Sequence, residues 1–270
     1  MMKTAAYTIC KNEIKKLDQW LYYTRNFDYR VVLDTGSTDG TWEALQQVPN
    51  IILDQLILEE FRFDVARNVN LMMIPQDVDW CLSPDMDEYF SINVLDQIAK
   101  TEAQFPNVTN IACTRLDIYS EEVFVGQPKH IGTNKIHRRH LYEWKMPVYE
   151  HLSYIGPNSE VEIYNNDVFL IHDQDVNKPR NKQYIDLFIK EHKNNPQNTW
   201  NNWYLTNEYF KKQDMEGFVT VGVDFCKYHD KKTDSKYREV FEVLTKFSQS
   251  SEVPEHLRNK ILQDLNINRP

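Results

Sequence analysis

The chain has 270 residues, of which 41% are hydrophobic and 26% charged, so it can bury the core of one large domain and carry an appended region. A formal net charge of −9 argues against unaided binding to nucleic acid or anionic lipid, because both require a basic surface. The four cysteines have no metal-type spacing and form no Cys-x-x-Cys pair. We therefore expect reduced thiols, no disulfides and a reducing compartment.

The N-terminal apolar segment before Lys11 is too short for a signal peptide and is typical of a first strand. No apolar stretch approaches the length needed to span a bilayer. These features predict a cytoplasmic location, with at most a peripheral contact at the inner face of a membrane.

The first part of the chain alternates strand-like and helix-like segments. Short apolar runs predict strands, and apolar residues at helical spacing predict helices. In chain order we expect a strand over 5–10, a helix over 13–27, a strand over 31–33, a helix over 41–47, a strand over 51–53, and a helix capped by Asp64 with Val65, Val69, Met72 and Met73 on its apolar side. This alternation predicts a mostly parallel sheet flanked by helices.

A short buried strand is expected before Asp85, followed by a helix over 94–103 and extended segments over 111–116, 135–138 and 168–172. From Lys178 onward the pattern is helical only, with about five segments. We therefore predict an α/β domain over 1–177 and an α-helical region over 178–270.

The helical region contains features similar to tetratricopeptide-like helix pairs. Asn195-Pro196 precedes one helix, Gly217 separates two others, and aromatic and small residues recur at helical spacing. A peptide-binding groove is one interpretation. Helices that cover the sheet or pair with a second subunit are the other, and the sequence leaves both open.

Two carboxylates, Asp85 and Asp87, follow a short apolar run. Side chains two apart on an extended chain face the same way, and open α/β sheets bind ligands beyond the carboxyl ends of their strands. The pattern favours a metal-bridged phosphate. An isolated Asp-x-Asp also occurs simply as a solvated turn, so the motif needs support from its surroundings.

That support comes from further blocks in a fixed order. The blocks are Lys11-Asn12-Glu13, the run from Asp34 to Thr41, Asp64-Val-Ala-Arg67-Asn68, and Trp80 through Asp85-Met-Asp87-Glu88. In order and spacing they resemble family 2 glycosyltransferases. The resemblance continues more loosely through 135–139, 148–150 and 171–172, and so covers about two thirds of the chain.

The resemblance implies a GT-A fold, Rossmann-like, with an all-helical C-terminal extension. It implies a metal-dependent glycosyltransferase that moves a sugar from a nucleoside diphosphate sugar to a glycan, lipid-linked or protein acceptor, as in polysaccharide biosynthesis. A UDP donor is favoured, with GDP and dTDP donors open, and inversion at the anomeric carbon is expected. The C-terminal helices could also form a homo-oligomer.

The resemblance also assigns residues to the donor. It places the nucleoside on Thr8, Asp34 and Asp39, although both aspartates have an alternative role as loop and helix caps. Arg67 is assigned to the phosphates or the base, since a guanidinium binds phosphate oxygens in pairs; the alternative is an arginine on a solvated helix face. Asp85 is assigned to the ribose or to metal-bound water.

Asp87 is the predicted direct metal ligand, and oxygen ligands suit Mg²⁺ or Mn²⁺. His172 follows an apolar strand at a position where the resemblance implies a further metal contact. An imidazole ligand would favour Mn²⁺. A lone histidine is also commonly structural, and the sequence leaves both roles open.

Glu150 is the predicted proton acceptor, because related enzymes carry Val-His-Glu at this point; Glu88 is a second catalytic candidate on the acceptor side or behind the metal. Here Tyr149 replaces the histidine, so any role of an imidazole at that position would fall to His151. If Glu150 instead pairs with Arg138 or Arg139, the base is unidentified. The two outcomes are equally weighted.

Two other functions compete with this interpretation. A nucleotidyltransferase would need a Gly-rich basic phosphate loop near the N-terminus, which residues 5–13 lack. A non-catalytic adaptor with a degenerate front domain would have no reason to combine Asp34, Arg67 and Asp87.

Overall fold

The computed structural model describes residues 2–119, 135–174, 183–229 and 234–267. The chain divides into two compact units, Met1–Pro179 and Arg180–Pro270. The boundary predicted between residues 177 and 178 lies outside the described residues. All four cysteines are buried free thiols.

The first unit contains strands and helices in alternation. In chain order its elements are β1 (Thr4–Cys10), α1 (Ile14–Tyr23), β2 (Tyr29–Asp34), α2 (Thr41–Leu45), β3 (Ile51–Gln55), α3 (Phe63–Met73), β4 (Trp80–Leu82), β5 (Glu88–Phe90), α4 (Val94–Gln104), β6 (Asn110–Tyr119), β7 (Ile136–Arg138), β8 (Tyr142–Lys145), β9 (His151–Tyr154) and β10 (Glu162–Gln174).

The described strands form an eight-stranded sheet in the order β3-β2-β1-β4-β7-β6-β10-β5, beside a separate β8-β9 pair. Strands β3, β2, β1 and β4 are mutually parallel, and β10 is parallel to β6. The antiparallel strands are β7, between β4 and β6, and β5, at the edge. The prediction of a mostly parallel sheet flanked by helices, with a helical C-terminal region, is confirmed.

The sheet buries both faces, as a central parallel sheet should. On β1, Tyr7 packs with Leu71 of α3 and with Trp144 of β8. Ala6 belongs to another cluster with Trp20 of α1. Successive side chains on one strand point to opposite faces, so a short run of β1 contributes to two cores.

Helix α3 forms where predicted, but the side of the helix that was predicted to be buried is wrong. Val65 is 38% exposed and Met72 69% exposed. The buried residues of the helix are instead Asp64, Ala66, Arg67, Asn70 and Leu71. The periodicity failed because a polar residue occupies the buried face; Arg67 has carboxylate partners there. Asp64 also lies in the first turn and not at the N-cap, which is Arg62.

Three short strands were not predicted. They are β5, β8 and β9, of three or four residues each. Runs of this length carry too few residues for a recognisable alternation. Two of them matter below, because β5 follows Asp87 directly and β9 begins directly after Glu150.

The secondary-structure elements of the second unit, in its described residues, are all helices. It comprises α5 (Gln183–Asn194), α6 (Thr199–Lys211), α7 (Met215–Tyr228), α8 (Ser235–Gln249) and α9 (Glu255–Asp264), in agreement with the predicted segments. Each helix packs against the next. Asn198, Asp214 and Asp234 cap α6, α7 and α8 by accepting a backbone N–H. None of the described helices combines the length and apolar character that a bilayer crossing requires.

Candidate active site

Polar side chains gather where the parallel strands end. Asp34 is the last residue of β2, Asp85 follows β4, and His172 lies near the end of β10. Because β6 and β10 run in the same direction as β4, all these strands finish at one edge of the sheet. Ligands of open α/β sheets bind at this edge.

Asp34 shapes the loop after β2. Its Oδ1 accepts the N–H groups of Gly36 (2.9 Å) and Ser37 (3.0 Å) and the side-chain amide of Gln55 (3.0 Å). Burial raises the pKa of Asp34, but these hydrogen bonds outweigh it and hold the pKa below its usual value. Gly36 has a φ of 99°, a left-handed conformation that favours glycine. The fully buried Asp34 carboxylate therefore supports the loop.

Asp39 joins the starts of two helices. Its Oδ1 accepts the Thr41 N–H (3.0 Å) and hydroxyl (2.5 Å), and its Oδ2 accepts the Ile14 N–H (3.1 Å). The capping role allowed for in the sequence is therefore present. A nucleoside contact by Asp39 stays a prediction.

Replacing Asp39 by alanine is expected to lower the free energy of unfolding by about 1–2 kcal/mol, because three hydrogen bonds at two helix starts are lost. Urea unfolding measures this. Asp18→Ala is the matched control: Asp18 is exposed on α1, and a change within about 0.5 kcal/mol is expected. Equal stability of the two variants would contradict the capping role.

Thr8 does not reach the edge. It lies inside β1, is fully buried, and donates its hydroxyl to the carbonyl of Ile9 at 3.1 Å. Its side chain therefore has no exposed surface, and a nucleoside contact by Thr8 stays a prediction.

Two hydrogen bonds between Asp85 and Glu88 close the turn that carries Asp85 and Asp87. The Glu88 carboxylate accepts the Asp85 N–H at 3.0 Å, and the Glu88 N–H donates to the Asp85 carbonyl at 2.9 Å. Trp20 Nε1 donates to the carbonyl of Pro84 at 3.3 Å. The Glu88 side chain is only 2% exposed, so an acceptor cannot reach it. Glu88 therefore positions the turn, in keeping with the role behind the metal that the sequence allowed, and a catalytic role of Glu88 stays a prediction.

Asp85 is bound by two cations. Its Oδ1 accepts Arg67 Nη2 at 2.7 Å, and its Oδ2 accepts Lys135 Nζ at 2.9 Å. Burial raises the pKa of Asp85, but the charges of Arg67 and Lys135 outweigh it and hold the pKa well below the usual range. Lys135 also contacts Glu88, and the two carboxylates raise the pKa of its ammonium against the effect of burial.

Arg67 links this turn to the predicted base. Its Nε donates to Glu150 Oε1 at 2.5 Å, and its Cζ lies 4.7 Å from the ring centre of Trp144. The side chain is 5% exposed, and Nη1 is buried without a hydrogen-bond partner among the described residues. The alternative of a solvated helix-face arginine is therefore wrong.

Glu150 pairs with Arg67 and not with Arg138 or Arg139. Arg138 binds Glu102 and the carbonyl of Val108, and Arg139 donates to the carbonyl of Ile74. The pairing that would have left the base unidentified is therefore absent from the described residues.

The loop before Glu150 is conformationally unusual. Met146 (φ 84°) and Tyr149 (φ 52°) are both in left-handed conformations, which residues with side chains adopt rarely and at some cost in energy. Tyr149 is 45% exposed. Such backbone outliers cluster at functional sites, which makes this loop a candidate for the acceptor side.

His172 faces three partners. Its Nε2 lies 3.4 Å from Asp87 Oδ2, and its Nδ1 lies 3.1 Å from Asp117 Oδ1 and against Arg115. Burial lowers the pKa of His172, but Asp87 outweighs it and raises the pKa above its usual value. In the described ranges no group of three or more His, Cys, Asp or Glu side chains is arranged to hold a metal ion.

These contacts form one continuous network. It runs from Glu150 through Arg67, Asp85, Lys135, Glu88, Arg115 and His172 to Asp87. The structure thus brings together six predicted residues, whereas Asp34 and Asp39 remain in the neighbouring loop. The sequence analysis included Lys135 only in the loosely matching block 135–139, without a role, and it missed Arg115 and Asp117. The signal for the last two is a polar alternation at the end of a strand, since both side chains lie on one face of β6.

The fold has counterparts among solved structures. Over 97% of this chain and 89% of the other, it matches S. aureus TarS 1–349 in complex with UDP-GlcNAc, with a TM-score of 0.59 and 13% sequence identity. The complex of TarS 1–349 with UDP gives the same values, and TarS 1–349 alone gives a TM-score of 0.56. TarS is a glycosyltransferase of the GT-A type.

The chain has a GT-A fold. At 13% identity the likeness concerns the fold alone, and it confirms the architecture expected from the sequence blocks. The sequence matches no protein-family model and no curated protein. In this GT-A fold the network described above occupies the carboxyl edge of the central sheet.

Proposed function

We propose that this protein is a glycosyltransferase that moves a sugar from a nucleoside diphosphate sugar, with UDP favoured, to an acceptor hydroxyl. The observation that carries the proposal is the network at the carboxyl edge, where Arg67 links the Asp85 turn to Glu150. The fold supports it, because TarS 1–349 has the same fold and was crystallised with UDP-GlcNAc and with UDP.

The donor is assigned to the loop after β2 and to the turn after β4. Asp34 and Asp39 hold that loop, whose backbone would meet the nucleoside. Arg67 contributes charge beside the turn, and its Nη1 is a hydrogen-bond donor with no acceptor among the residues that the structure describes. A guanidinium suits an anionic diphosphate, which an acidic chain must neutralise locally.

A divalent cation is compatible with Asp87 and His172. Their facing atoms are 3.4 Å apart, and two ligands of one octahedral ion lie about 3 Å apart when each bond is about 2.1 Å. One carboxylate and one imidazole leave room for diphosphate oxygens and water, and the imidazole favours Mn²⁺ over Mg²⁺. When bound, the cation would offset the charge of the departing diphosphate.

Glu150 is assigned as the base. Arg67 Nε binds its Oε1, which fixes the carboxylate and leaves Oε2 to accept the proton of the acceptor hydroxyl. A base on the face opposite the leaving group gives direct displacement and inversion. The acceptor class, whether glycan, lipid-linked or protein, is left to experiment.

The proposal is tested by thermal unfolding with UDP, GDP, dTDP and CDP, each with and without Mn²⁺. We expect UDP with Mn²⁺ to stabilise the protein, by about 2.7 kcal/mol at a hundred times its dissociation constant. Asp87→Asn should remove the Mn²⁺-dependent part, because it removes a charged ligand. Asp18→Asn, on the exposed face of α1, is the matched control and should respond as wild type.

Two outcomes would count against the proposal. If none of the four nucleotides stabilises the protein, the adaptor interpretation is favoured. If Asp87→Asn retains the full Mn²⁺-dependent response to UDP, the metal assignment of Asp87 is wrong, although nucleotide binding stands.

A further inference from the structure

A cavity of about 680 Å³ lies at the opposite edge of the same sheet. Its lining includes Asp79 before β4, Thr109 before β6 and Val161 before β10, together with the last residue of antiparallel β7, Arg138, and residues 139–141 after it. These are the amino ends of the parallel strands. The cavity is therefore separated from the active-site network by the length of the strands.

Arg139 is the unusual residue of this cavity. It is only 8% exposed, and its Nη2 donates to the carbonyl of Ile74 at 2.9 Å. Its Nε is buried and has no hydrogen-bond partner among the described residues. The Ile74 carbonyl lies at the C-terminal end of α3 and compensates the charge only in part, so an anion in the cavity would complete the compensation.

The surrounding groups do not supply that anion. Asp79 is exposed, and its carboxylate accepts the Lys3 N–H at 2.7 Å. Glu102 binds Arg138, whose Cζ also lies 4.3 Å from the ring centre of Trp80. Because Arg138 is already paired, Arg139 is the cation of the lining that an anion in the cavity would meet.

The rest of the lining suits an organic body. Tyr154 forms part of one wall, and Gly156 lies so close to its hydroxyl that a Cβ there would clash, so the loop after β9 packs directly on the ring. Val78, Val108 and Leu141 add apolar surface. A volume of this size is in the range of small-molecule sites, which combine apolar walls with a few polar anchors.

We propose that this cavity is a second ligand site, which binds a small organic anion through its phosphate or carboxylate group on Arg139 and its body against Tyr154. The site is separate from the proposed donor site. Its ligand compensates the buried guanidinium, and binding therefore stabilises the folded first unit.

The test is thermal unfolding of the full chain in phenyl phosphate, benzoate or inorganic phosphate, against sodium chloride of equal ionic strength. For wild type we expect the aromatic anions to raise the midpoint, with a tenfold gain in the folded-to-unfolded ratio at about ten times the dissociation constant. A larger response to phenyl phosphate identifies a phosphate ligand, and a larger response to benzoate a carboxylate ligand. No response to any anion overturns the proposal.

Arg139→Gln is expected to abolish the rise of the unfolding midpoint that the anions cause. Without anion this variant should unfold at the same temperature as wild type or higher, because an incompletely compensated charge is removed. Arg138→Gln is the matched control, and it should lower the midpoint by releasing Glu102 but keep the response. An unchanged response in Arg139→Gln overturns the proposal.

A variant at the surface guards against misfolding of Arg139→Gln. Asn158 is exposed and lines the cavity, so Asn158→Trp should fold and should weaken phenyl phosphate binding by filling the space. Unweakened binding in Asn158→Trp would place the anion elsewhere. The measurement uses no sugar donor, so a negative result would overturn the second ligand site without bearing on the proposed transferase activity.

Discussion

Replacing Glu150 by glutamine is expected to slow sugar transfer by about 10²–10⁴-fold without weakening UDP binding, because the change removes a general base but little else. Glutamine keeps a carbonyl oxygen that can accept from Arg67 Nε, which now binds Glu150 Oε1 at 2.5 Å. The loop should therefore stay in place. The measurement pairs the rate of UDP release from the donor, with water as acceptor, with calorimetric UDP affinity.

Glu143→Gln is the matched control for this experiment. Glu143 lies on the neighbouring β8, is 37% exposed and pairs with Lys145, so its replacement should leave both quantities unchanged. A Glu150→Gln variant that loses only affinity has lost a binding group and not a base. If the rate is normal, proton transfer belongs to another residue, and His151 is the next to test.

Replacing Arg67 by glutamine is expected to lower the free energy of unfolding by about 3–5 kcal/mol, the largest effect on stability among these variants. Arg67 is 5% exposed and contacts both Asp85 and Glu150, so its loss leaves two carboxylates short of a cation. Lys135 still compensates Asp85 in part. Urea unfolding at neutral pH measures the loss.

The pH dependence gives a second readout for the same variant. Burial raises the folded-state pKa of Asp85, but the charges of Arg67 and Lys135 outweigh it and lower this pKa below its usual value. A depressed carboxyl pKa contributes stability that is present above the unfolded-state pKa of about 3.9 and is lost as the pH falls below it. The difference in the free energy of unfolding between wild type and Arg67→Gln should therefore become smaller as the pH falls below about 3.9.

Arg62→Gln, at the start of the same helix, is the control. Arg62 is 42% exposed and its partner Asp64 is 12% exposed, so the loss should be smaller than for Arg67, which is 5% exposed and contacts two carboxylates. If Arg67→Gln is as stable as Arg62→Gln at every pH, the two ion pairs of Arg67 contribute no more to the fold than the half-exposed pair of Arg62.

The parts of the site that could be predicted are those fixed by local pattern. Asp34 and Asp85 each follow a short apolar run, and the ends of parallel strands share one edge of a sheet. That argument needs only strand identity and order. It placed the Asp85 turn correctly without knowledge of any contact.

The parts that could not be predicted depend on distant contacts. Arg67 and Glu150 are 83 residues apart in the chain, and nothing local to either indicates the pair. The same contact explains why α3 turns a charged residue inward. For Thr8 the unforeseen contact is local instead: its hydroxyl donates to the carbonyl of Ile9 within β1.

Strand β5 spans only Glu88–Phe90 and lies at the end of the sheet order, yet it aligns the candidate metal ligands. Its antiparallel pairing sets Glu88 opposite His172, and the Asp173 N–H donates to the Asp87 carbonyl at 2.8 Å. A slip of one residue would turn every β5 side chain to the other face. The distance between Asp87 and His172 thus depends on the main-chain pairing of β5 with β10. Substitutions that disturb this short edge strand would therefore separate the two candidate metal ligands even though both side chains are still present in the sequence.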